Sequence, residues 1–238
     1  MDGILFLHGF TGTRKEIEPL VEYVRRHTDW HVHCPLLPGH GEKPQLRGIR
    51  YRDWIAFAEQ ELQYLLKICD RIFLCGYSMG GLLATYLAVH HSVEKLVLLS
   101  PSAYYTNPKN FYKEVTAMFA EGFRGNFRNN DIFQKYKRKI LTTPPSAFFQ
   151  FMRLVKVMRP MAGKVETPTI IIQGRRDPIV PEKSAYYFYR QIRSPKKRLL
   201  LLDDADHLIC LGRGKEEVFR EILHFLTGEE EKIAAKPI

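Results

Sequence analysis

The feature that most limits what this chain can fold into is an alternation. Short apolar, β-rich runs are followed, one after another, by segments with helical spacing. ILFL at 4–7 is wholly apolar and ends at His8-Gly9, which reads as a buried strand entering a loop. Between positions 13 and 27, Ile17, Leu20, Val21 and Val24 recur at helical spacing. The unit repeats with a strand at 31–35, the loop PLLPGHGEKP and a helix over about 53–68. A third unit has a strand at 71–75, a turn at 76–81 and a helix at 82–90, and 95–99 adds a fourth strand. Strands at 168–173 and 198–202 each lead to a helix, near 182–192 and 216–226. This pattern predicts an α/β fold: a mostly parallel sheet of six or seven strands with helices on both faces.

The alternation breaks once, over 101–167. No strand pattern appears there, and aromatics are dense: Tyr104, Tyr105, Phe111, Phe119, Phe123, Phe127, Phe148, Phe149 and Phe151. This reads as a helical insertion between core segments 1–100 and 168–238, with most of its aromatics assigned to packing. It starts at the end of a strand, the edge where open parallel sheets bind ligands, so it is expected to cap a site. The final residues, GEEEKIAAKPI, read as a frayed tail.

Net charge is +10, and the insertion holds most of it: 12 Lys+Arg against 4 Asp+Glu over 101–167, or 12 − 4 = +8. Such a face attracts an anionic substrate or the surface of an anionic membrane, although a solvated basic face explains it equally well. Nucleic acid is disfavoured, because no recognition motif accompanies the charge. No apolar run approaches the roughly 18–20 residues of a membrane span, and the opening MDGILFLHGF lacks the features of a secretory signal. A cytoplasmic location is therefore expected. Cys34, Cys69, Cys75 and Cys210 are scattered, with no CxxC pair, and read as reduced core thiols, not a metal site.

Within GYSMG, at 76–80, Ser78 stands between two glycines. Composition alone produces such a pattern about three times per hundred chains of this kind, so the motif by itself is moderate evidence. Its setting adds weight, because apolar Phe73-Leu74-Cys75 precedes it and Leu82-Leu83-Ala84 follows, as a strand–turn–helix nucleophile elbow requires. Small residues at both flanks let strand and helix pass closely.

A serine hydroxyl needs a base, and in an open parallel sheet of this kind the acid and base follow the serine on later loops. His27, His31, His33, His90, His91 and His224 fall in or beside predicted elements and read as surface or packing residues. His40 lies on a suitable loop but precedes Ser78, and His8 precedes the first loop. His207, in LLLLDDADHLI, is left as the base. Asp177, in IIIQGRRDPIVP, directly follows a strand and is the preferred acid; Asp203, Asp204 and Asp206 are the alternative. The acid would fix the imidazole tautomer and stabilise the imidazolium. Backbone N–H groups of Met79, opening the elbow helix, and Phe10, in LHGFTGT, would bind an oxyanion.

These pieces, LHGFTG, GYSMGG, GRRDPIVP and DADH, resemble the α/β-hydrolase superfamily, and the resemblance spans essentially the whole chain. Within it the chain looks most similar to bacterial carboxylesterases and monoacylglycerol lipases. That resemblance implies Ser78 as nucleophile, Asp177 as acid, His207 as base, Phe10 and Met79 as oxyanion donors, and a cap. It also implies neither metal nor organic cofactor. The chain departs from the pattern at Asp206, where many members have a small residue before the catalytic histidine. This extra negative charge beside the base is expected to shift the pH optimum. The chain also opens at the first parallel strand, which leads us to expect a smaller sheet than in larger relatives.

The expected function is hydrolysis of a small carboxylic ester with an apolar acyl group, through an acyl-Ser78 intermediate. Two alternatives stand beside it. One is a C–C bond lyase of the same superfamily, of the menaquinone-biosynthesis type, whose elbow and loop are similar and which would use the basic cap on an anionic substrate. The other is a non-catalytic small-molecule receptor on the same fold.

Overall fold

A computed structural model describes residues 1–104 and 143–228. Its centre is a six-stranded, wholly parallel, open sheet. The strands are β1 (Asp2–Leu7), β2 (His31–His33), β3 (Arg71–Tyr77), β4 (Lys95–Leu99), β5 (Thr169–Gly174) and β6 (Lys197–Leu202), in the order β2-β1-β3-β4-β5-β6. Among the described residues the α-helices are α1 (Glu18–His27), α2 (Tyr51–Leu66), α3 (Met79–His90), α4 (Pro145–Met158), α5 (Lys183–Gln191) and α6 (Lys215–Thr227). Helices α1 and α6 contact each other, while α2, α3 and α4 form a second contacting group.

Burial follows position in the sheet. Every residue of β5 is buried, as are all but the first of β3 and β4, because these strands are covered on both faces. The leucine run of β6 is only half-buried, although it is as apolar as β5, because β6 is an edge strand.

Two expected elements differ in detail. A single helix was expected over 13–27; instead Thr13 caps a short 3-10 turn, Arg14–Glu16, and α1 starts at Glu18 with Pro19 in its first turn. Proline has no N–H to offer and fits that position. The expected six-residue turn at 76–81 shrinks to one residue. The strand runs to Tyr77, the helix begins at Met79, and Ser78 alone reverses the chain.

The described part of the expected insertion is helical: α4, then a 3-10 segment, Arg159–Lys164. Phe148 and Phe151 are buried, whereas Phe149 is 71% exposed. Tyr105, Phe111, Phe119, Phe123, Phe127 and the C-terminal tail from 229 lie outside the described residues.

Parallel pairing gives the sheet a functional edge. Leu7 pairs with Gly76, Tyr77 with Leu99, Leu99 with Ile172 one strand further on, and Gly174 with Leu202. The loops that leave β1, β3, β4, β5 and β6 therefore emerge together. The chain moves from β1 to β2 in one direction and to β3 in the other, so a crevice opens between β1 and β3. Gly9-Phe10 and Ser78 emerge there.

Candidate active site

Ser78 has φ 53° and ψ −112°, a conformation that a residue with a Cβ rarely adopts. Such strain costs on the order of 1–3 kcal/mol and persists only where surrounding bonds impose it. Here the Ser78 N–H donates to Leu99 O at 2.8 Å, and Ser78 O accepts from Gly81 N–H at 3.1 Å. The strain is part of a pattern. Thr11, Ser78 and Ser100 are the non-glycine residues with positive φ among the described residues, and all follow the ends of β1, β3 or β4.

Close backbone approach explains the glycines. A Cβ on Gly80 would lie 2.0 Å from Leu7 O, so α3 starts hard against the end of β1. A Cβ on Gly9 would lie 3.3 Å from Ser78 Cβ, which puts the LHGFTGT loop directly beside the elbow.

Asp177 and His207 meet. His207 Nδ1 lies 2.7 Å from Asp177 Oδ2, with both side chains at most 3% exposed. An ionised carboxylate only accepts, so Nδ1 carries a proton, and in the neutral imidazole the lone pair is then on Nε2. The Tyr77 ring is 5.1 Å from the imidazole, so the pair stands next to the elbow. Asp177 is held on both oxygens: Oδ1 accepts from Ile179 N–H at 2.9 Å and Val180 N–H at 2.8 Å, and Oδ2 also accepts from Gln173 Nε2 at 2.9 Å.

The alternative acids are engaged elsewhere. Asp203 pairs with Arg175 at 2.8 Å and Asp204 with Arg176 at 2.6 Å, and both carboxylates are exposed. Asp206 Oδ1 accepts from Leu208 N–H at 2.9 Å, and burial raises its carboxyl pKa, with the nearby Asp177 charge adding a smaller push in the same direction.

Of the expected oxyanion donors, Phe10 N–H has no acceptor among the described residues. Met79 opens α3, where N–H groups lack a carbonyl in their own helix. The loop bearing Phe10 is braced by His8, whose Nδ1 donates to Gly9 O at 2.9 Å and whose Nε2 accepts from Leu37 N–H at 3.0 Å. Because Nε2 is an acceptor, the ring is neutral. The Phe10 side chain stacks on Phe151 at 4.7 Å and meets Phe148 and Trp54 edge-on at 5.2 and 5.8 Å.

The remaining histidines fit the packing role. His27 and His90 each place Nδ1 against a carbonyl one turn back, at 2.7 and 2.8 Å, and His33 and His91 pair with Glu61 and Glu59 at 2.5 Å. His40 is buried beside the loop that bears Phe10, with its ring 5.1 Å from His8.

Sequence reasoning missed two residues. Gln173 had a signal, as the polar member of an otherwise apolar buried strand, IIIQG, where a buried amide demands partners. Ser102, whose Oγ lies 3.0 Å from Ser78 Oγ, had none, since SPSA after a strand reads as an ordinary turn.

With this geometry established, comparison with known proteins decides the family. The Hydrolase_4 family model, described as serine aminopeptidase, S33, matches residues 2–212. This chain belongs to that family. It is an α/β-hydrolase of the serine-hydrolase type, with esterases and lipases among its relatives. It is 27% identical to the thermostable monoacylglycerol lipase of Bacillus sp. (strain H-257), over 94% of this chain and 90% of that one. It is 22% identical to a carboxylesterase of Bacillus subtilis (strain 168), over 94% and 91%. A solved structure of a metagenome-derived lipolytic enzyme superposes with a TM-score of 0.78 at 24% identity, covering 95% of this chain and 94% of the other, a likeness of fold. Among the described residues no helix is long and apolar enough to cross a membrane, and no cluster of potential metal ligands occurs.

Proposed function

We propose that this member of the family hydrolyses carboxylic esters with an apolar acyl group, short to medium acyl esters or monoacylglycerols, using Ser78, His207 and Asp177. The observation that carries the reading is the buried Asp177–His207 pair, which holds the Nδ1 proton toward the carboxylate so that a neutral imidazole has its lone pair at Nε2, beside a serine in a strained elbow.

In this reading Ser78 Oγ attacks the ester carbonyl carbon while His207 Nε2 takes its proton. The oxyanion of the tetrahedral intermediate is received by the N–H groups of Phe10 and Met79. The C–O bond to the alcohol breaks, and His207 returns the proton to the departing oxygen. Water then attacks acyl-Ser78 with His207 as base, releasing the acid and restoring Ser78. Asp177 keeps its charge throughout and stabilises the imidazolium.

The aromatic wall formed by Phe10, Trp54, Phe148 and Phe151 beside the oxyanion loop supports an apolar acyl group as the recognised part. It also supports reading 101–167 as a cap over a core of 1–100 and 168–238, because α4 brings two of those rings. The curated relatives named above are ester hydrolases, which favours esters over the peptides in the family's description.

The test is labelling with a fluorophosphonate and mapping of the labelled peptide, alongside turnover of p-nitrophenyl esters of graded acyl length. Ser78 should carry the label, and Ser78→Ala should lower hydrolysis by at least about 10³-fold. Label on another residue, undiminished hydrolysis by His207→Ala, or faster turnover of aminoacyl p-nitroanilides or an acidic lyase substrate would overturn the reading.

A further inference from the structure

Ser78 Oγ has a partner in the structure, and it is another hydroxyl. Ser102 Oγ lies 3.0 Å away, and Ser102 is 1% exposed. On distance alone either oxygen could donate. Ser78, like Ser102, is buried, and the two arrangements differ in which hydroxyl hydrogen is left over. Ser102 Oγ has no second side-chain partner among the described residues. If Ser78 donates, the hydrogen left over is that of Ser102, and Ser78 has no proton free for a base. If Ser102 donates, its hydrogen is used, and the one hydroxyl hydrogen left over belongs to Ser78. That is the proton the base must receive.

The position of Ser102 is built by its backbone. Ser100, at φ 44°, turns the chain back as it leaves β4. Its N–H donates to Ile172 O at 2.8 Å, tying the turn to β5. Ser102 N–H reaches Ser78 O at 3.4 Å, and Ala103 N–H closes on Pro101 O at 3.1 Å. Tyr104 is clamped to Ser184 at both N–H and C=O, at 2.9 and 3.2 Å. A hydroxyl on so fixed a segment is already oriented before any reaction begins, which makes a donor effective in a buried site.

We propose that Ser102 is a further member of the catalytic centre, a fixed hydrogen-bond donor to the oxygen that forms and later releases the acyl bond. The proposal rests on the reading of Ser78 as the nucleophile. As the Ser78 proton passes to His207 Nε2, negative charge builds on Ser78 Oγ until its bond to the acyl carbon is complete. The Ser102 O–H stabilises that charge and keeps its own proton. In deacylation water adds to the acyl carbon, the bond to Ser78 Oγ breaks, and the same donor stabilises the departing oxygen until His207 returns the proton. A hydrogen bond to a charged oxygen is roughly twice as strong as one to a neutral hydroxyl, so the interaction strengthens as the barrier is approached.

The experiment compares wild type, Ser102→Ala and Ser102→Cys in the full chain. Mapping the fluorophosphonate label in wild type comes first, because label away from Ser78 defeats the nucleophile reading itself and leaves Ser102 out of account. With Ser78 labelled, the second-order labelling rate and the pre-steady-state acylation rate with p-nitrophenyl butyrate are measured for each variant. Ser102→Ala should slow both by about 10- to 100-fold, with KM within about threefold of wild type and an unchanged melting temperature. Ser102→Cys, which keeps size but has a poor donor, should fall between them. Labelling of Ser102→Ala at the wild-type rate or faster overturns the proposal, and so does a loss confined to KM. If Ser102→Ala does not fold, Ser102→Cys within twofold of wild type overturns it.

Discussion

Each oxygen of Asp177 accepts two hydrogen bonds, so the carboxylate has little freedom to turn away from His207. Two of the donors are backbone N–H groups three residues or fewer downstream, which the DPIVP turn supplies locally. The third, Gln173, leaves the same strand four residues earlier. Asp206 differs, because its half-buried carboxyl has its pKa raised chiefly by burial. A carboxyl whose folded pKa lies above the ordinary 3.8 holds its proton more tightly when folded, so ionising it opposes folding. Stability is therefore lost as pH rises from 3.8 through the folded value, and the full penalty is present above it. Asp206→Asn removes the ionisation while keeping an oxygen for Leu208 N–H. It should be more stable than wild type in urea unfolding at pH 7, with the gap narrowing toward pH 4. A gap of equal size at both pH values would mean that ionisation is not its source.

The elbow shows what an element asks of its residues. Strand β3 and helix α3 are joined through one residue, and the packing of α3 on β1 leaves no space for a side chain at Gly80. Gly80→Ala places a methyl 2.0 Å from Leu7 O and 2.8 Å from His8 O, backbone atoms that move only if β1 does. It should cost at least about 2 kcal/mol in urea unfolding, with the proposed esterase activity falling as well, because the displaced strand carries the Phe10 loop. Stability equal to wild type would show that the approach is not fixed. The order of elements, the parallel sheet and the GYSMG junction were legible in sequence because apolar runs and glycine spacing are local signals. The span of the turn was not, because the glycines belong to strand and helix and only Ser78 takes the unusual angle. The half-burial of the β6 leucines was hidden for a related reason: apolarity does not reveal which strand ends at the edge. At the site, Asp177 and His207 could be picked out by chain order and loop position. Ser102 depends on how the turn after β4 folds back over β3, a tertiary fact with no sequence signature.

At the scale of the whole molecule, four buried free thiols report on how the fold opens. Cys34 follows β2, Cys75 lies in the central β3, and Cys210 sits three residues past His207 in the 3-10 turn Ile209–Leu211. Burial pushes Cys34 and Cys210 up to about 12 from an ordinary 9.0, and drives Cys75 well above it. Since the thiolate is the nucleophile, a rise of that size leaves about a thousandfold less reactive species at pH 8. Cys69, at 9% exposed, is the most accessible of the four and should react first with a disulfide reagent such as dithiobisnitrobenzoate. The other three should react only as the structure opens, with rates that rise with urea. If the parallel sheet unfolds as one unit, these three rates share a single urea dependence despite the distance between them in sequence. A Cys210 rate that rises at lower urea than the rates of Cys34 and Cys75 would instead mark the His207 loop as a separate opening unit. In the proposed mechanism hydrolysis would then fail before the sheet does, because the Asp177–His207 pair joins the loop after β5 to that loop.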